Sequence, residues 1–324
     1  MAKPWIDGAE HSILYSTENC VVKHETILIK LKKNEGVYYA NYKIKYIIYS
    51  DANQTIPLVF LGIGLSTKKE IRINDISTKT IKLNENESFL KKINNSFEVK
   101  FSKDNSLAAN IEDLIYFEAK LNKGENTIYI EYDGNLEYNR YGFIKNFKLK
   151  YSLYPSRFWK SFGNIELTVD LGDNLNLITT NLNNPIIEKN IVKCNIIHIN
   201  QDDIEITFTN KITSFSKILL FLQPFGIALI LLIIMSFVNF SLIRNRRIKF
   251  NTKYNIYLPL GITITPIVFY VVYFLSFKLI DYSLGLENSQ HGYVFLIIIT
   301  YPILLLIYGL LFLRIDKIFK KKYK

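Results

Sequence analysis

Three apolar runs close the chain, and they limit its fold more than any other feature. They are Ile218–Ile243, about Ile256–Phe277 and about Tyr293–Leu313. Each reaches the length of about 20 apolar residues that crosses a hydrocarbon core as a helix. None contains Asp, Glu, Lys, Arg or His. The expectation is an α-helical membrane region of three transmembrane helices over residues 216–324, with residues 1–215 forming a region of different character.

The formal net charge of +11 would suit a nucleic-acid-binding chain if it were spread over the whole sequence. It is not. Arg244, Arg246, Arg247, Lys249 and Lys253 fill the short stretch after the first run. Arg314, Lys317, Lys320, Lys321, Lys322 and Lys324 follow the third run, against the single acid Asp316. Residues 1–217 are left close to neutral. The basic excess therefore reads as a membrane-topology signal, and no nucleic-acid partner is expected.

Short loops rich in Lys and Arg stay on the cytoplasmic side of a membrane. The loop Arg244–Lys253 and the tail are both basic, while the loop 281–291 has no Lys or Arg and carries Asp281 and Glu287. One orientation satisfies all three: residues 1–215 outside the cytoplasm and the C-terminus inside. Export of so long a region requires a signal. Met1–Cys20 has no apolar stretch of 7–15 residues, so that signal is expected upstream of this chain. The wealth of Lys, Asn, Ile, Tyr and Phe suits an AT-rich bacterial coding sequence, which makes a bacterial cytoplasmic membrane the expected location.

Polar groups are costly inside a bilayer and mark packing or function there. The runs hold only uncharged ones, among them Gln223, Asn239 and Thr300. Pro224, Pro259, Pro266 and Pro302 lie in or beside the runs, where each removes a backbone donor and can kink a helix. Pro266 and Pro302 are expected near mid-depth. Lys278 and Asp281 stand at a spacing that allows a helical pair.

Residues 20–209 read differently. Segments such as Thr26–Leu31 and Tyr42–Ile47 alternate apolar with polar residues, which is the period of a strand with one buried face. Turn residues such as Asn34-Glu35-Gly36 and Asp133-Gly134-Asn135 separate them. Short strands without intervening helices predict an all-β extracytoplasmic region, one large or two tandem Ig-like β-sandwiches, with any split near residues 102–112. Cys20 and Cys194 are the only cysteines and, outside the cytoplasm, are candidates for a disulfide.

Catalytic chemistry is not visible. The four histidines are scattered, His24 and Glu25 face opposite sides of a strand, and no ligand spacing for zinc occurs. Asp202, Asp203 and Glu205, or Asp170 and Asp173, are oxygen-rich but lack a calcium-loop pattern. No catalytic residue, metal or cofactor is assigned. Tyr138, Arg140 and Tyr141, in a polar Tyr-rich stretch, are the candidate contact surface. The sequence thus predicts a membrane-anchored, non-enzymatic β-sandwich that binds a protein or envelope component within a membrane complex. An auxiliary subunit of a transporter or secretion system is the alternative, and a membrane-bound enzyme is the least supported. A small-molecule ligand is not legible.

Overall fold

A chain that alternates apolar and polar residues over its first two thirds, and is apolar on all sides over its last third, has to solve two different burial problems. The structure, a computed structural model, describes residues 2–4, 20–62, 64–81, 90–93, 96–102, 105–109, 114–139, 142–153, 156, 159–250, 253–286, 289–292 and 295–323. It divides into two units. One comprises residues 1–139 and 146–211, the other residues 140–145 and 212–324. The short segment 140–145 is grouped with the helices.

The described residues of the first unit form strands and their connections, with a 3-10 position at Ser156. In chain order the strands are β1 (Ala2–Pro4), β2 (Cys20–Asn34), β3 (Val37–Ser50), β4 (Gln54–Leu61), β5 (Leu65–Ile73) and β6 (Ile76–Ser77). Then come β7 (Leu90–Ile93), β8 (Ser96–Ser102), β9 (Asn105–Ala109), β10 (Leu114–Leu121), β11 (Gly124–Asn135) and β12 (Glu137–Tyr138). The last are β13 (Asn146–Ser152), β14 (Phe162–Asp170), β15 (Leu175–Thr180), β16 (Ile186–Glu188), β17 (Ile191–Ile196) and β18 (Asp203–Asn210). An eight-stranded sheet has the order β16-β17-β14-β2-β3-β11-β5-β6. Smaller sheets have the orders β1-β4-β10, β12-β13-β18-β15 and β7-β8-β9. Pairing is antiparallel except between β14 and β2.

Local chemistry sets these registers. Glu35 and Gly36 both take positive φ (47° and 84°), so Asn34 and Val37 close a two-residue hairpin whose twist matches that of the strands. In β2 the burial alternates through Cys20 and Val22, slips at a bulge around Lys23, and resumes at Glu25, Ile27, Ile29 and Leu31. The slip brings a carboxyl group into phase with the core. Gly163 of β14 passes so close to the bulge that a Cβ there would lie 1.8 Å from the Lys23 carbonyl oxygen.

One apolar cluster joins the inner faces of the eight-stranded sheet, the β4–β10 pair and the sheet of β13, β15 and β18. Residues on both sides of 102–112 enter it, from Ile71 and Ile73 to Ile115 and Phe117. Trp159 is buried in it, and Tyr42 stacks on Tyr132 at 4.5 Å between ring centres.

The second unit holds α1 (Ser214–Lys249), α2 (Tyr257–Leu284), a 3-10 turn (Phe295–Thr300) and α3 (Tyr301–Lys322). All three helices are long and apolar enough to cross a membrane. Thr213 caps α1 by accepting the Ser216 amide N–H. Gln223 leaves the helical region at φ 56° and ψ 171°, so α1 is two helical pieces meeting at Gln223–Pro224. The other prolines act differently. Pro259 lies in the first turn of α2, and Pro266 is buried within it. Pro302 starts α3 after the 3-10 turn and is not at the middle of a helix, a correction to its expected place; proline suits such a start because the first-turn N–H has no helical partner anyway.

Large apolar side chains stay exposed along these helices, Phe221 at 86% and Phe237 at 69% among them. That is the inverse of the first unit, whose apolar residues close on one another, and it is compatible with a lipid surround.

Candidate functional site

A concave site of the β unit lies at one end of the eight-stranded sheet. There β16 pairs with β17 only from Ile191 to Lys193, and β17 runs on to Ile196. A groove of about 630 Å³ opens beside this free stretch. Its walls come from β14, β17 and the connections before β16 and after β17. Five carboxamides line it, those of Asn183, Asn184, Asn195, Asn200 and Gln201. Two charged groups at its margin have partners of their own: Lys193 reaches Glu188 at 2.9 Å, and Glu166 lies 3.6 Å from His24.

A second polar cluster is sealed inside the core. The Tyr151 hydroxyl donates to Glu25 Oε1 at 2.7 Å, and the Tyr46 and Tyr151 hydroxyls are 3.2 Å apart. Glu25 Oε2 is buried with no hydrogen-bond partner. Burial drives the Glu25 carboxyl above the usual carboxylate range, against the Tyr151 hydrogen bond that favours its ionised form. Burial likewise raises the Tyr46 and Tyr151 hydroxyls, which therefore stay protonated donors. Sequence reasoning placed His24 and Glu25 on opposite faces without assigning the inner one. The missed signal was parity: Glu25 shares it with Ile27, Ile29 and Leu31.

In the helical unit, polar contacts gather at the two ends. At one end Arg247 of α1 grips Asp316 of α3 in a fork, Nε to Oδ1 at 2.8 Å and Nη2 to Oδ2 at 2.6 Å. Asn255 Nδ2 adds a bond to Oδ1 at 3.1 Å, and Arg247 Nη1 donates to the Lys253 carbonyl at 3.0 Å. Arg247 and Asp316 are both buried. Of the residues read as topology charges, Arg244, Lys249, Lys320, Lys321 and Lys322 are exposed, and Arg246 is half-buried. Arg247, expected to be one of them, is instead the buried half of an ion pair.

At the other end Asp281 Oδ2 meets His291 Nε2 at 2.8 Å, which displaces the expected Lys278 pairing. The His291 ring lies 4.9 Å from Phe277 and 5.6 Å from Phe143 between ring centres. Phe143 belongs to the 140–145 segment, whose backbone is held by the Gln290 amide at the Phe143 carbonyl and by a bridge from Ile144 to Ser289. Between the ends, Asn239 Nδ2 reaches the Tyr308 hydroxyl at 3.4 Å, and Thr300 lies 2.7 Å from the Tyr270 hydroxyl. Asn239 and Thr300 thus sit in helix-to-helix hydrogen bonds, whereas Gln223 is exposed at the break in α1.

The other sequence candidates separate. Tyr138 is exposed on β12, with its ring 6.3 Å from Phe147. Arg140 and Tyr141 lie outside the described residues. Cys20 and Cys194 are both buried and are not joined to each other, so the candidate disulfide is not formed. The register explains it: Cys194 pairs with Leu167, which pairs with Ile27, seven residues along β2 from Cys20. That offset exceeds the roughly 7 Å between Cα atoms that a disulfide spans. Asp170 caps its own turn through the Gly172 amide at 2.9 Å. Among the described residues no group of three or more His, Cys, Asp or Glu side chains is placed to hold a metal ion.

No protein-family model matches the chain, and no curated protein matches it. Among solved structures, it is similar to a Legionella pneumophila protein described as nutrient binding, at 13% identity and a TM-score of 0.45. That match covers 96% of this chain and 97% of the other. An M1 zinc metallopeptidase from Deinococcus radiodurans follows, at 7% identity and a TM-score of 0.30, over 60% of this chain and 43% of the peptidase. Leukotriene A4 hydrolase from Saccharomyces cerevisiae matches at 8% identity and a TM-score of 0.34, over 60% of this chain and 30% of the hydrolase. Likenesses this distant carry no argument about fold or function.

Proposed function

We propose that this chain is a membrane-anchored, non-enzymatic binding module of a bacterial cytoplasmic membrane. Its β unit, a sandwich in the broad Ig-like sense of sheets closing on one core, lies outside the cytoplasm. Three helices cross the bilayer, and the C-terminus is cytoplasmic. The β unit binds a protein or envelope component as part of a membrane complex.

The observation that carries this reading is the placement of charge around the helices. Basic residues crowd the 244–253 loop and the tail, and are missing from the 281–291 loop. The count survives the loss of Arg247 to Asp316, because that pair itself joins the two basic ends.

A second reading, an accessory subunit of a transporter or secretion assembly, draws on the break at Gln223–Pro224. Interrupted helices in membranes often line a site or meet a partner.

Reporters active only in the cytoplasm or only outside it, fused after Lys324, test the orientation. Cytoplasmic activity is the expected result, and an exported reporter overturns it. Gentle detergent extraction followed by native mass measurement tests the complex. A species carrying a bound envelope component or partner chain supports the binding role, and a bare monomer counts against it.

A further inference from the structure

The groove beside β17 has the chemistry of a site for uncharged, hydroxyl-rich molecules. A carboxamide offers two donors and a two-lone-pair acceptor on one planar group. A sugar hydroxyl both donates and accepts, so carboxamides satisfy it where a lone cation or anion meets only half its needs. The side-chain amides of Asn183, Asn184, Asn200 and Gln201 make no hydrogen bond among the described residues, and Asn195 only accepts a long one from Asn164 at 3.5 Å. Their bonding capacity faces solvent, ready to be exchanged for a ligand's.

Charge argues the same way. Lys193 is taken up by Glu188, while Glu166, 3.6 Å from His24, and His198 also line the groove. An anionic ligand would find no surplus of positive charge. Around the amides, Leu182 and Ile196 form a buried apolar floor, and Ile186 and Ile197 stand exposed at the rim. Such a floor suits the C–H faces of a sugar ring. The volume of about 630 Å³ falls within the range of roughly 300–1,000 Å³ typical of small-ligand sites.

The competing occupant is an extended peptide added to the sheet edge. The edge is obstructed at its centre. Cys194 Sγ donates to the Asn183 carbonyl at 3.4 Å, so the connection leading to β16 already lies against β17 where an incoming strand would pair.

We propose that this groove binds a short, neutral oligosaccharide segment. The proposal deepens the reading of the β unit as an envelope-binding module and rests on its facing the envelope.

The test uses the full chain in detergent micelles. Saturation-transfer NMR and calorimetry are run with chitotriose, maltotriose, cellotriose and mannotriose, and with a neutral Ser/Asn hexapeptide as the competing class. Millimolar or tighter binding of at least one oligosaccharide is expected, weakened about tenfold or more in both Asn195→Leu and Gln201→Leu. Both positions line the groove away from the core, and a thermal melt of each variant confirms that it is folded. Asn184→Ala supplies a milder second probe with an intermediate loss. No binding of any of the four sugars, binding unaffected by all three variants, or binding of the hexapeptide alone overturns the proposal. Because binding is read on purified protein, its failure is separable from that of the orientation reading, which the reporter fusions decide independently.

Discussion

The two units hide polar groups in opposite places. The β unit seals a carboxyl and two tyrosine hydroxyls in the middle of its core, at Glu25, Tyr46 and Tyr151. The helical unit keeps its ionisable pairs near the ends, Arg247 with Asp316 and Asp281 with His291, and leaves only single hydrogen bonds such as Asn239 to Tyr308 between them. The difference fits the surroundings proposed for each unit. In a β unit surrounded by water, an ionisable group left in the core is enclosed by protein and pushed towards neutrality. A helix in lipid has water only at its two ends, and a charge is least costly where solvent and headgroups are within reach.

That contrast can be broken first at the ends of the helices. Asp316→Ala leaves the Arg247 guanidinium buried without its carboxylate and should destabilise the helical unit by about 3–5 kcal/mol. Unfolding of the full chain in mixed micelles measures it. Replacing both partners together, Arg247→Met with Asp316→Leu, should recover most of the loss. If the single variant unfolds like the parent, the pair is a solvated surface contact and the contrast fails at its strongest point.

A glycine in each unit compares how the two kinds of packing yield. In Gly163→Ala the new methyl meets the Lys23 carbonyl oxygen at 1.8 Å, a backbone atom tied into the β2 bulge. In Gly261→Ala it meets the carboxamide of Asn239, a buried side-chain group that must turn away from the Tyr308 hydroxyl to make room. Overpacking costs about 1–3 kcal/mol, and the β-unit variant should lie at the upper end or beyond it, with the helix variant lower. Thermal unfolding of both, with loss of the Asn239–Tyr308 contact in the second, orders them.

The Glu25 carboxyl sharpens the comparison through pH. Its folded pKa is raised, so the protonated form is preferred in the native core and the contribution is fully present below the unfolded value of about 4.3. It is lost as pH rises through the folded pKa, because the unfolded chain then gains by ionising. Glu25→Gln removes that loss, so its stability should fall less than the parent's as pH rises from 4 to 8. Denaturant midpoints across pH 4–8 check the sign, and a parent that falls no more than the variant contradicts the buried-acid account. The smallest effect is expected at Tyr138. This exposed residue should change stability by less than about 0.5 kcal/mol when replaced by alanine.

How much of this was legible depends on the range of the signal. Period-two segments such as Tyr42–Ile47 and the three apolar runs declare strands and helices through residues close in sequence. The break at Gln223 was announced by Pro224 beside it. The β2 bulge was harder, since Lys23 and Gly163 show their fit only after β14 has returned alongside β2. The Arg247–Asp316 pair was hidden for the same reason: nothing near either residue distinguishes it from the surrounding basic loop or tail. The carboxamide groove gathers residues from β17 and two connections, and in a chain rich in Asn no one of them stands out.

The segment 140–145 has a practical consequence. The chain leaves the β unit after Asn139, contributes Phe143 and Ile144 to the helical unit, and re-enters at Asn146. Cutting the protein after Lys211 would not release a self-contained water-soluble half. It would strand Phe143 and Ile144, whose seat is made by Phe277, Ser289 and Gln290, synthesised well over a hundred residues later. During biosynthesis these two residues have no seat until the second helix and the turn beyond it exist.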